Sequence, residues 1–139
     1  MIGLDTNILA RYYTAASSKD DAATVRQCSA ARQLMEGGKR LMISQTVVLE
    51  LEWVLRGAYE VKPAEIRQVF LHLLSLQQLE FEDRLAVQTA VDALAQGFDF
   101  ADALHHGAYR RCTMVATFDD KGFARRAKKA ALKSAVTLP

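Results

Sequence analysis

The sequence predicts an α/β fold, a parallel sheet of four to five strands flanked by helices, and two patterns carry that expectation. Short apolar runs alternate with longer segments whose apolar residues recur at helical spacing. Strands separated by helices of this length favour a parallel sheet covered on both faces. The 139 residues fit one domain, 1–139. With 50% hydrophobic and 24% charged residues, the chain has the composition of a packed domain rather than a disordered one.

Taken in order, Met1 to Leu4 reads as the first strand and Asn7 to Tyr13 as a short helix after it. A longer helix from about Asp20 to Glu36 places Val25, Cys28, Ala31 and Met35 on one stripe and stops at Gly37-Gly38. Arg40 to Ser44 is the second strand. The helix that follows carries Val47, Val48, Leu51, Val54 and Leu55 and ends at Gly57. Pro63 suits the first turn of the next helix, where its missing N–H costs little, and Ile66, Val69, Phe70, Leu73 and Leu74 share a face of it. Leu79 to Glu82 is a third strand. Val87, Ala90, Val91 and Leu94 mark a helix ended by Gly97, and another starts near Asp99. Thr113 to Phe118 forms a strand, a basic helix starts at about Lys121, and Ala135 to Leu138 is a last strand.

Charge and composition narrow the function classes. The net charge is only +2, so the molecule as a whole is no electrostatic magnet for nucleic acid. Its distribution is uneven: from Arg110 onward eight Lys or Arg stand against two Asp. That end can attract phosphate or simply form a solvated face. Cys28 and Cys112 give neither a metal spacing nor a disulfide framework, and reduced, mostly buried thiols are expected. The opening MIGLD lacks the basic and apolar regions of a secretory signal. The richest apolar run, Val69 to Leu74, is far too short to span a bilayer. The expected location is the cytoplasm, with no membrane partner.

The acids are where chemistry can sit. In open α/β sheets, ligands bind beyond the carboxyl ends of the strands. Asp5 directly follows the first strand, and Asp119 directly follows Thr113–Phe118. Each also opens a helix, so an N-cap accounts for either one taken singly. Asp99 and Asp102 stand three apart at a helix start, the spacing of an N-cap and its N3 residue. Asp102 is set among Phe100, Ala101, Ala103 and Leu104, which calls for a partner such as His106 or a metal. Glu50 and Glu52 flank opposite borders of one apolar stripe, and periodicity does not choose between them.

Gathering such carboxylates has a consequence. Two anions about 4 Å apart repel by roughly 4 kcal/mol at an effective dielectric of 20. A cluster of them takes up protons or a cation. Oxygen-only ligands select Mg²⁺ or Mn²⁺ over zinc, and His105 and His106, adjacent on a helix, diverge too much to form a zinc pair. A site of this kind suits hydrolysis of a phosphodiester by an activated water, with no Ser or Cys nucleophile. No phosphate-cradling glycine loop of the Walker type is present.

Four segments stand out together: Met-Ile-Gly-Leu-Asp5-Thr6-Asn7-Ile-Leu, Val-Val-Leu-Glu50-Leu-Glu-Trp53-Val-Leu, Asp99-Phe-Ala-Asp102-Ala-Leu-His and Val-Ala-Thr117-Phe118-Asp119. In this order they resemble the PIN-domain family. Their order and spacing match over essentially the whole chain, and the likeness is greatest to VapC-like toxins of bacterial toxin–antitoxin pairs. The resemblance implies a twisted parallel sheet between helices, Mg²⁺-dependent endoribonuclease activity (Mn²⁺ substituting), a homodimer, and inhibition by a cognate antitoxin. It implies that Asp5, Glu50, Asp102 and Asp119 are the core acids, and so favours Glu50 over Glu52. Asp5, Asp102 and Asp119 would ligate the metal, with Glu50 and Asp99 doing so directly or through water. Asn7 and Thr117 match positions that orient the carboxylates. Arg125, Arg126 and Lys128 of the basic helix are candidates for binding substrate phosphates.

Other readings are a PIN nuclease of RNA processing, a phospho-receiver and a binding module whose acids are only caps. A receiver would need paired acids after its first strand and a lysine after its last. Here Asp5 stands alone, and Glu82-Asp83 ends the third strand without a lysine pattern.

Overall fold

A computed structural model describes residues 1–119, 121–122 and 135–139. Among them are six helices and five strands, all paired parallel, so the α/β expectation holds. The strands do not join one sheet of four or five. They form one sheet of three and one of two. Apolar runs announce strands but not their hydrogen-bonding partners, and these strands are only two or three residues long.

The chain divides into two compact units, Met1–Glu82 and Asp83–Pro139. In the first, β1 (Ile2–Gly3), β2 (Leu41–Ile43) and β3 (Leu79–Phe81) lie side by side in chain order. Ile2 pairs with Leu41, and Leu41 with Leu79. Parallel neighbours need crossovers. Helices α1 (Thr6–Tyr13) and α2 (Ala22–Glu36) make the first, and α3 (Gln45–Gly57) and α4 (Pro63–Ser75) the second. Leu41 and Ile43 are fully buried, as are Leu51, Leu55, Phe70 and Leu73 on the inner faces of α3 and α4. The stripe predicted for α2 is covered only at its end: Ala31 and Met35 are buried, whereas Val25 is exposed and Cys28 half-buried.

Both crossovers leave the carboxyl edge of the sheet into capped helices. Asp5 caps α1. Ser44, at the end of β2, caps α3 through the N–H of Val47, and Glu82 beyond β3 accepts the N–H of Gln45 at 2.7 Å. Helices α1 and α3 pack together.

In the second unit, α5 (Arg84–Leu94) and α6 (Phe100–Ala108) pack through Val87, Ala90, Ala103 and Leu104, all buried. Gly107 makes this approach possible. A methyl group there would stand 2.8 Å from the Cα of Ala86. Arg110 bonds both carboxylate oxygens of Asp83 and the carbonyl of Gly107, tying the end of α6 to the start of α5. β4 (Met114–Ala116) pairs with β5 (Ala135–Thr137) in parallel. Cys112, expected to be buried, is exposed in the turn before β4. Most of the basic helix expected from about Lys121, with Arg125, Arg126 and Lys128, lies outside the described residues.

Candidate active site

Asp5 and Glu50, 45 residues apart in sequence, line one open cleft of about 200 Å³ together with Thr6, Asn7, Ala10, Arg11, Val54 and Tyr59. Thr6 joins the two acids. Its backbone N–H donates to Asp5 Oδ1 and its hydroxyl to Glu50 Oε2, each at 2.8 Å. Thr6 is only 5% exposed, so a hydroxyl there requires a partner, and the bond fixes the Glu50 rotamer. Among the described residues, Asp5 Oδ2 and Glu50 Oε1 accept no hydrogen bond, and neither carboxylate forms a salt bridge.

The cap made by Asp5 is unusual. A capping side chain ordinarily accepts from the second or third N–H of its helix. Asp5 accepts from the first, Thr6 N–H. Its carboxylate therefore serves the helix with one oxygen, and the other accepts no hydrogen bond among the described residues. Asp99 follows the ordinary pattern, accepting the N–H of Asp102 three residues on, as the spacing predicted.

The two glutamates that periodicity left equal are now distinct. Glu52 is 5% exposed and accepts from Arg56 Nε at 2.8 Å, one turn along α3. Glu50 is exposed, with its carboxylate in the cleft. Glu52 is thus a packed ion-pair partner, and Glu50 is the one at which a ligand can arrive.

The remaining candidates lie in the second unit. Asp99 is exposed at the start of α6 and Asp102 half-buried in its first turn, while His106 is buried. Asp119 follows β4 and accepts the N–H of Gly122 at 2.8 Å, with its own N–H donating to Thr117 Oγ1 at 3.1 Å. A side chain at 122 would strike the Asp119 carboxylate, so glycine permits that bond. Among the described residues no three His, Cys, Asp or Glu come close enough to hold a metal ion. What is brought together is the pair Asp5 and Glu50.

Thr6 was not singled out by sequence reasoning. Asn7 was, but among the described residues its side chain makes no hydrogen bond, and the hydroxyl that orients Glu50 belongs to its neighbour. A threonine between an acid and an asparagine at a helix start reads as one more capping residue. Nothing local reveals that it reaches a carboxylate two elements away.

A PIN-domain model matches residues 2–129. The chain belongs to the PIN-domain family. PIN domains are generally divalent-metal-dependent nucleases, and they act on nucleic acids. No curated protein and no solved structure matches the chain significantly.

The donor set of this PIN domain fits a hard cation. Mg²⁺ keeps several waters and is commonly held by one or two carboxylates plus substrate phosphate oxygens. Asp5 Oδ2 and Glu50 Oε1 offer such a pair, all oxygen, in a cleft open to solvent. No helix of the described residues is long and apolar enough to cross a membrane.

Proposed function

We propose that this PIN domain is a Mg²⁺- or Mn²⁺-dependent endoribonuclease, the toxin of a toxin–antitoxin pair, acting in the cytoplasm as a homodimer and restrained by a cognate antitoxin. The single observation that carries the nuclease reading is the Asp5–Thr6–Glu50 arrangement, two carboxylates fixed by one threonine, each with an oxygen that accepts no hydrogen bond among the described residues. The toxin assignment rests on the likeness of the four acidic segments to VapC-like proteins.

Asp5 and Glu50 would hold the cation, which when bound activates water and neutralises phosphodiester charge. Thr6 sets the separation of the two carboxylates, so that they need not reorganise when substrate arrives. The sequence pattern, rather than a measured distance, adds Asp102 and Asp119 to the acidic set, with Asp99, Asn7 and Thr117 in support. The same pattern assigns Arg125, Arg126 and Lys128 to substrate phosphates.

The test is cleavage of RNA by the purified full chain with Mg²⁺ or Mn²⁺, with and without chelator, the cut ends being sequenced. Cleavage should require the metal and leave 5′-phosphate and 3′-hydroxyl ends. Asp5→Asn should reduce it by at least about 100-fold, the scale seen when one pre-organised electrostatic contact is removed. Native-rate cleavage by Asp5→Asn, or cleavage undiminished by chelator, contradicts the reading.

A further inference from the structure

The cleft contains a cation that the acidic chemistry leaves unexplained. Arg11 lies on α1 one turn beyond Asn7 and is the only basic residue among the described residues lining the cleft. Two contacts hold its guanidinium. Nε donates to Gln27 Oε1 of α2 at 3.0 Å, and Nη1 donates to the hydroxyl of Tyr59, just after α3, at 2.8 Å. Both acceptors are neutral. Two carboxylates line the same cleft, yet among the described residues Arg11 makes no salt bridge with them or with any other acid.

That arrangement is informative because an arginine beside carboxylates ordinarily pairs with them, two-pronged where geometry allows. Here Tyr59 and Gln27 hold the guanidinium from two other elements and keep it apart from Asp5 and Glu50. Of its five N–H groups, two are used among the described residues. The Nη2 edge makes no hydrogen bond among the described residues. Its charge is felt nearby: Asp21, whose carboxyl is held below the ordinary aspartate range mainly by hydrogen bonds from Thr24, is lowered slightly further by Arg11.

We infer that Arg11, held by Tyr59 and Gln27, is the residue of the cleft that binds a phosphate of a single-stranded RNA substrate. The inference rests on the nuclease reading above, which supplies the substrate. A phosphodiester approaching Asp5 and Glu50 meets two negative charges, and a fixed guanidinium offsets that repulsion where the chain must enter. Its planar fork matches two phosphate oxygens, which a lysine at the same place would not do. Tyr59 is a positioning residue in this account: it touches the arginine and sets its direction.

The experiment measures binding of a fluorescein-labelled single-stranded oligoribonucleotide to the full chain by anisotropy. It is done in EDTA, so that no cleavage intervenes, over a series of salt concentrations. Arg11→Gln should weaken binding about tenfold at low salt, and the slope of log affinity against log salt should fall by about 0.7, one phosphate contact on a single strand. Arg11→Lys should keep the slope and lose part of the affinity. Tyr59→Phe, which removes one acceptor but no charge, should do the same by about twofold to threefold. Circular dichroism and melting check each variant's fold. If Arg11→Gln does not fold, the Lys and Phe variants decide: native affinity in both overturns the inference. Native affinity and slope in a folded Arg11→Gln also overturn it. Failure of the nuclease reading looks different, since the native chain would then bind the RNA with Arg11 dependence and leave it uncut in Mg²⁺ and Mn²⁺. A native chain that does not bind the oligonucleotide overturns the inference, and metal-dependent cleavage then judges the nuclease reading by itself.

Discussion

The two compact units share local carboxylate caps and differ in what else their acids do. In Asp83–Pro139 the capping carboxylates hold backbone a short way ahead of themselves: Asp83 takes the N–H of Ala86, Asp99 that of Asp102, and Asp119 that of Gly122. Each contact spans three residues and follows from the local turn of the chain. In Met1–Glu82, Asp5 and Glu50 come from different helices and are joined by Thr6 across 44 residues. A contact of the first kind needs only a helix start. One of the second kind needs β1 and β2 in register, the crossover between them, and α1 packed on α3. A local cap by itself says little about function, whereas an acid held by long-range structure with an oxygen left over says more.

The largest effects should come from breaking this contrast inside one helix. Glu50→Gln should lower RNA cleavage by at least about 100-fold with little change in melting temperature. Glu52→Gln should do the reverse: activity per folded molecule stays near native, while stability falls by about 1 kcal/mol. The second figure is modest because Arg56, its partner, is half exposed. Cleavage and denaturant unfolding, measured on both variants, check this; equal losses of activity would erase the distinction between the two glutamates.

Gly107→Ala probes the packing of α5 on α6 in the second unit. The added methyl meets the backbone of Ala86, which cannot swing aside as a side chain would. Overpacking of this kind costs about 1–3 kcal/mol, read from urea unfolding. No loss of stability would mean that α5 and α6 separate easily.

The smallest effect concerns a local cap in the first unit, Asp21 at the start of α2. Its carboxyl sits below the ordinary aspartate range, chiefly because Thr24 N–H donates to it. A lowered folded pKa means that the cap contributes above the unfolded pKa and fades as pH falls through the folded one. Asp21→Ala should therefore melt below the native protein at neutral pH, and the two curves should converge in acid. A difference in melting temperature that persists in acid would show that charge is not what the cap contributes.

Much of this was legible in the sequence. Strands and helices follow from apolar runs and helical periodicity, and Asp99 with Asp102 from the spacing of a cap. Strand pairing was not legible, because hydrogen-bonding partners depend on which strands meet. Periodicity also stopped at Glu50 and Glu52: both border the stripe, and only the packing around α3 decides which border is covered. It overran on α2, where Val25 continues an apolar stripe that packing does not reach. Thr6 was invisible for the most instructive reason. Its role is a bond to a residue far along the chain, and no local pattern encodes that.

Manganese titration of the 139-residue chain, followed by electron paramagnetic resonance, is the most direct test of the paired-acid cleft. Native protein should bind Mn²⁺ specifically, Asp5→Asn should lose at least about tenfold in affinity, and Thr6→Val should lose less while remaining folded. Equal Mn²⁺ affinity in the native protein and Asp5→Asn would contradict the account.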